Sequence, residues 1–104
     1  MKKMDSSFSL KADVIKALAH PARLFIVETL RDRRVCVCEL TDLIGSDMST
    51  VSKHISILKK AGLLNMEKER NWIYYSLRCP CILEFIDCIG QVAAGLGAAG
   101  RKGK

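Results

Sequence analysis

Five cysteines are the most reactive side chains of this sequence, and they fall in three places. Cys36 and Cys38 flank Val37, Cys79 and Cys81 flank Pro80, and Cys88 stands alone. A soft cation or trivalent arsenic takes several thiolates, so a Cys-x-Cys pair can offer two sulfurs to one centre. Cys36 and Cys38 need not share a helix face if the first lies on an incoming loop. Cys81 and Cys88 are seven residues apart and share a face of any helix that holds both. The rise between them is roughly 10 Å, too far for one ion. Cys79 and Cys81, on either side of a proline at a helix start, converge more easily. Cys88, beside Ile89, reads as a small buried hydrophobe. The odd count argues against a closed disulfide framework.

Charge is the second informative feature. Seventeen Lys and Arg against 11 Asp and Glu leave a formal net charge of +6, which favours an acidic partner. Residues 1–35 carry eight basic and four acidic residues, net +4; residues 36–78 and 79–104 are each +1. Yet from Met48 to Met66 there is no acid at all, while Lys53, His54, Lys59 and Lys60 fall there. A local acid-free basic segment points to a nucleic-acid surface more directly than the total does.

At 104 residues the chain is one domain, too short for a two-lobed enzyme with a cleft between lobes. It offers no nucleophile–base–orienter set and no oxyanion-type motif, so no enzyme is expected. Lys2, Lys3, Asp5, Lys11 and Asp13 interrupt any signal core, and the apolar stretch from Cys81 to Cys88 contains Glu84 and Asp87. A cytoplasmic protein with reduced thiols and no membrane partner is expected.

The elements that position these groups follow from periodicity and caps. Leu10, Val14 and Leu18 line one face of a helix over Leu10–Ala19, with Ser9 as N-cap. His20-Pro21 breaks the ladder, and Pro21 opens a second helix with Leu24, Val27 and Leu30, ending near Asp32. Val37, Leu40, Leu43 and Ile44 give a two-turn helix closed by Gly45. Asp47 caps a longer helix, Met48 to about Ala61, with Val51, Ile55 and Leu58 inward and Gly62 as its stop. Short helix, turn, longer helix is the helix-turn-helix pattern, although generic helical hairpins share it. Leu64–Lys68 and Trp72–Leu77 then alternate like strands, joined by Glu69-Arg70-Asn71, where Asn71 suits positive φ. Cys79-Pro80 opens a last helix with Ile82, Phe85, Ile86 and Ile89 as its apolar face. The expected class is mainly α with a small β-hairpin, a winged helix-turn-helix over residues 1–90. An Ala/Gly-rich basic tail, weakly helical at best, occupies 91–104.

Three stretches carry a family resemblance: Ala17-Leu18-Ala19-His20-Pro21-Ala22-Arg23-Leu24, Val35-Cys36-Val37-Cys38-Glu39-Leu40, and the run from Ser49 to Leu63. In this order, with Trp72-Ile73-Tyr74-Tyr75 on the second wing strand, they resemble the ArsR/SmtB family of bacterial metal- and stress-sensing repressors. The resemblance runs from about Val14 to Leu77. It implies a homodimeric winged-helix repressor whose outer helices form the dimer and which releases operator DNA when its inducer binds. The implied DNA contacts are Ser49, Thr50, Ser52, Lys53 and His54 on the recognition helix, with Lys68 and Arg70 on the wing.

In arsenic-responsive members the thiol motif reads Cys-Val-Cys-Asp-Leu-Cys. Here Glu39 replaces the aspartate and Thr41 stands where the third cysteine would be, leaving a two-sulfur local site. That site suits monosubstituted arsenic, or requires a third thiol from Cys79 or Cys81. Members with cysteines near the final helix sense arsenic or antimony there. The family's zinc site on the last helix needs His and carboxylate pairs, and that helix has only Glu84 and Asp87. The cadmium- and lead-sensing site needs N-terminal cysteines, and the first cysteine is Cys36. The expected inducer is therefore As(III), Sb(III) or an organoarsenical, at Cys36, Cys38, Cys79 and Cys81, with no cofactor for DNA binding. One alternative keeps the fold and makes the thiols a redox or persulfide switch. Another is a non-regulatory thiol metal chaperone, which leaves the winged-helix signal without a purpose.

Overall fold

Three of the helix starts in this chain are set by side chains that satisfy amides a first turn leaves unpaired. In the computed structural model, which describes residues 3–95, the Asp5 carboxylate accepts from the Ser7 amide at 2.9 Å and opens α1, Ser6–Leu18. Ser9, expected as the cap, lies inside that helix, because the charged Asp5 acceptor a turn earlier also complements the helix dipole. His20 Nδ1 accepts from the Ala22 amide at 3.0 Å and starts α2, Pro21–Thr29. This helix stops short of Asp32. The Thr29 hydroxyl donates to the Phe25 carbonyl at 2.7 Å, a local bond that competes with continued helix.

The next element was not expected. Val35–Cys36 forms a two-residue strand, β1, before the helix-turn-helix begins. α3 spans Val37–Ile44 and closes at Gly45, whose φ of +80° is the left-handed conformation that glycine adopts without strain. Asp47 accepts from the Thr50 amide at 2.8 Å and starts α4, Met48–Lys60. Lys59 and Lys60 in its last turn face the negative end of the helix dipole.

β2, Leu64–Glu69, and β3, Trp72–Leu77, pair antiparallel from Leu64↔Leu77 to Glu69↔Trp72. β2 runs one residue past Lys68, so the turn shrinks to Arg70-Asn71. In a two-residue hairpin loop the first central position takes positive φ, and Arg70, not Asn71, adopts it at 59°. β1 pairs on the other edge of β3 through Val35↔Tyr75 and Cys36↔Tyr74, giving the order β1-β3-β2.

The core lies where α2, α3 and α4 meet the base of this sheet. Ile26, Val27, Leu40, Val51 and Leu58 are fully buried, each contributing about 1.5–3 kcal/mol. α5, Ile82–Gly95, buries Leu83 against them. The expected apolar face of this helix is only partly covered: Ile82 and Ile86 are half-buried, while Phe85 and Ile89 stay exposed. With Val14, Ile15 and Leu18, residues Ile82 and Phe85 line an open apolar groove of about 340 Å³ between α1 and α5. α5 also continues past Gly90 to Gly95; residues 96–104 of the expected tail lie outside the described residues. Among the described residues no helix is long and apolar enough to cross a membrane.

Leu40 is the buried anchor of α3. Leu40→Ala is expected to lower unfolding free energy by about 2–5 kcal/mol, read as a lower denaturant midpoint at unchanged slope.

Candidate nucleic-acid interface and thiol site

α4 buries Val51, Ile55 and Leu58, which turns its opposite face to solvent. At 100° per residue, Ser49, Lys53, Ser56 and Lys60 form the row farthest from the core, and all four are exposed. Ser52 flanks that row. Ser56 and Lys60 were not among the expected contacts, although the same spacing from Lys53 marks them. The Ser49 hydroxyl donates to Asp47 at 2.9 Å, so the carboxylate at the tip of this helix is held by its own cap. That bonding keeps the Asp47 pKa below the usual carboxylate value, the Thr50 amide being the main cause.

His54 does not stand on the exposed row. It is half-buried and turns toward α2, with its ring centroid 4.4 Å from that of His20. Arg23 reaches His54 Nδ1 at 3.3 Å and donates to the Ala17 carbonyl at 2.7 Å, tying α1, α2 and α4 together. Only the neutral ring with its proton on Nε2 accepts from Arg23. Burial first, then the nearby His20 and Arg23, depress the His54 pKa below 6.5.

On the wing, side chains alternate between faces. Lys68 lies on the same face as Met66, which meets the Lys59 ammonium of α4 at 3.4 Å. Arg70 stands at the tip. Lys68, Arg70 and the outer row of α4 are exposed, as a surface that meets phosphates must be.

The thiols divide more sharply than their spacing implies. Cys36 and Cys38 are half-buried with their Sγ atoms 3.3 Å apart. Cys36 lies at the end of β1 and at the N-cap position of α3, with Cys38 on the first turn. The Glu39 amide at that turn, which makes no cap hydrogen bond but directs its dipole at the sulfur, lowers the Cys36 pKa; the Cys38 thiol adds to the effect. Cys38 is pushed up, chiefly by its hydrogen bond with Cys36. The two thiols are therefore unequal, with Cys36 the easier to deprotonate. Glu39, the nearest acid, is paired with Arg33 at 2.6 Å.

Cys79, Cys81 and Cys88 are exposed. Cys88 is thus not the buried hydrophobe that its apolar setting implies; α5 turns Leu83 to the core and leaves Cys88 outside. Cys36 is in register with Tyr74, and Tyr74 to Leu77 spans roughly 10 Å of strand before Cys79 is reached. Within one chain the second pair does not join the first, and no three metal-ligating side chains converge among the described residues.

A helix-turn-helix with a solvent-facing polar row, followed by a paired hairpin with Arg70 at its tip, defines a winged helix-turn-helix DNA-binding protein. Residues 20–66 match the bacterial regulatory protein, arsR family. The chain is 35% identical over 88 residues to the HTH-type transcriptional regulator Rv0081 of Mycobacterium tuberculosis, covering 84% of this chain and 77% of that one. It belongs to the arsR family of bacterial transcription regulators. The crystal structure of the same M. tuberculosis protein matches with a TM-score of 0.80 at 32% identity, over 91% of this chain and 96% of that one. A homodimeric winged helix-turn-helix domain from Mycobacterium bovis, solved in solution, matches at 0.76 and 25% identity, over 92% and 91%. The arsenical resistance operon repressor of Escherichia coli (strain K12) is 35% identical over 72 residues, 68% of this chain and 62% of that one.

The His54 geometry sets a pH dependence. A histidine whose pKa is depressed on folding contributes stability that is complete above its ordinary value of 6.5 and is lost as pH falls through the depressed value. Between about pH 7.5 and about pH 5.5, wild type is expected to lose more unfolding free energy than His54→Gln, measured by chemical denaturation.

Proposed function

We propose that this protein is a homodimeric transcriptional repressor that leaves its operator DNA when trivalent arsenic binds Cys36 and Cys38. The observation that carries the reading is the 3.3 Å separation of the two sulfurs at the start of α3. Two metal–sulfur bonds of about 2.3 Å meeting near a right angle leave their sulfurs about 3.3 Å apart, whereas a tetrahedral centre spreads them to about 3.8 Å. The pyramidal bonding of As(III) or Sb(III) thus suits the pair better than zinc does. Each thiol that bonds arsenic releases water as an As–OH group departs. A monosubstituted arsenical is fully satisfied by two sulfurs. Arsenite or antimonite keeps one hydroxyl, or takes a third thiolate from Cys79 or Cys81 of a second protomer.

Binding draws Cys36, held in the sheet, and Cys38, held on α3, to one atom. Leu40 joins α3 to the same core as Val51 and Leu58 of α4, so a shift of α3 moves the recognition helix. A coupling of about 1–3 kcal/mol is typical of such regulation. A second protomer supplies the cover for the groove between α1 and α5, and a two-fold dimer spans two half-sites of an operator. Ser49, Thr50, Ser52 and Lys53 contact the major groove and Lys68 and Arg70 the flanking backbone. His54 acts by holding α4 against α2.

One observation favours a second reading. The unequal thiols, one lowered and one raised, also suit attack on a peroxide or a persulfide donor. Mass spectrometry after treatment with a persulfide donor, whose thiol leaves as its outer sulfur is transferred, or with peroxide separates the two: added sulfur or oxygen together with DNA release supports redox sensing.

In gel shifts with the protein's own upstream promoter, arsenite or antimonite is expected to release wild type. Cys36→Ser combined with Cys38→Ser is expected to stay bound; release of that variant overturns the thiol assignment. Lys53→Ala is expected to weaken binding and to lower the slope of log affinity against log salt by about 1. An unchanged slope removes Lys53 from the phosphate contacts.

A further inference from the structure

We infer that Arg34 is a positioning residue for DNA binding, a clamp that neutralises two wing carboxylates without touching DNA itself. From Glu67 to Arg70 the wing carries two acids, Glu67 and Glu69, and two bases, Lys68 and Arg70. Left to itself the wing tip has no net charge to offer a phosphate backbone. Alternation along β2 and the pairs Glu67↔Tyr74 and Glu69↔Trp72 put both carboxylates on one face, away from Lys68. Arg34, just before β1, crosses that face. One of its terminal nitrogens pairs with Glu67 and the other with Glu69 at 3.0 Å, while the guanidinium lies 4.2 Å from the Tyr74 ring centroid.

The geometry suits this role better than a stabilising one. All three charged groups are exposed, and exposed ion pairs add little to folding stability. What they do alter is the field at the wing tip. Glu69 adjoins Arg70, so it lies within about one Debye length, roughly 8 Å at physiological salt, of any phosphate that Arg70 meets. With Arg34 in place the set sums to +1; without it, to zero. The planar fork reaches two carboxylates at once and also stacks on Tyr74, which a lysine cannot do.

The inference rests on the DNA-binding reading but not on the identity of the inducer. The test measures full-length wild type, Arg34→Ala, and Arg34→Ala combined with Glu67→Gln and Glu69→Gln on a duplex from upstream of the protein's own coding sequence, across a salt series. Arg34→Ala is expected to weaken binding about tenfold at low salt and by less as added salt screens the two bared carboxylates. The triple variant is expected to return to within about twofold of wild type, because neutral amides no longer need a clamp. A salt slope still lowered by about 1 in the triple variant makes Arg34 a direct phosphate contact and overturns the clamp. A triple variant that melts like wild type yet binds as weakly as Arg34→Ala overturns it too. If wild type fails to bind, the repressor reading falls, and the clamp with it.

Discussion

The proposed thiol site rests on one constraint, the double role of the Cys36 backbone. That residue is paired with Tyr74 at the edge of the sheet, and it is also the residue from which α3 starts. Its register with Tyr74 ties it to the wing, its sulfur faces Cys38 on the first helical turn, and the helix it starts is anchored under the recognition helix by Leu40. A two-residue strand contributes little stability by itself. Its consequence is geometric: it holds the incoming chain so that two sulfurs two residues apart converge instead of pointing along different directions of one helix.

The same local geometry sets the chemistry of the pair. A thiol at the start of a helix feels the positive end of the dipole, and a second thiol beside it shares one proton more easily than it loses two. The result is an unequal pair at the junction of sheet and helix, with the nearest acid occupied by Arg33. On the proposed reading this site is where a thiophilic electrophile bonds. Because its two halves belong to different elements, drawing them onto one atom strains the join between the wing and the helix-turn-helix.

Much of this was legible in the residues because it is local. Asp47 as a cap, Gly45 and Gly62 as stops, the inward row Val51, Ile55 and Leu58, and the strand Trp72–Leu77 all depend on neighbours a few positions away. What was missed depends on partners far along the chain. β1 exists only because Val35 and Cys36 pair with Tyr75 and Tyr74, and two residues carry no periodicity. His54 looked free because α4 alone places it near the edge of its exposed face; His20 and Arg23, on other elements, draw it in. The positive φ moved from Asn71 to Arg70 when β2 took in Glu69. The thiol pair was legible as a motif, whereas its separation from Cys79 and Cys81 follows from the length of β3, which spacing in the sequence does not reveal.

The central claim is that two sulfurs, Cys36 and Cys38, are sufficient to sense the inducer. The most direct measurement titrates phenylarsine oxide, a monosubstituted trivalent arsenical, into the DNA complex of a variant in which Cys79, Cys81 and Cys88 are all serine, following DNA release by fluorescence anisotropy. Release complete at one arsenical per protomer, as in wild type, is the predicted result. A variant that stays on DNA at that ratio while wild type leaves would contradict the account and place the sensing thiols at the other end of the chain.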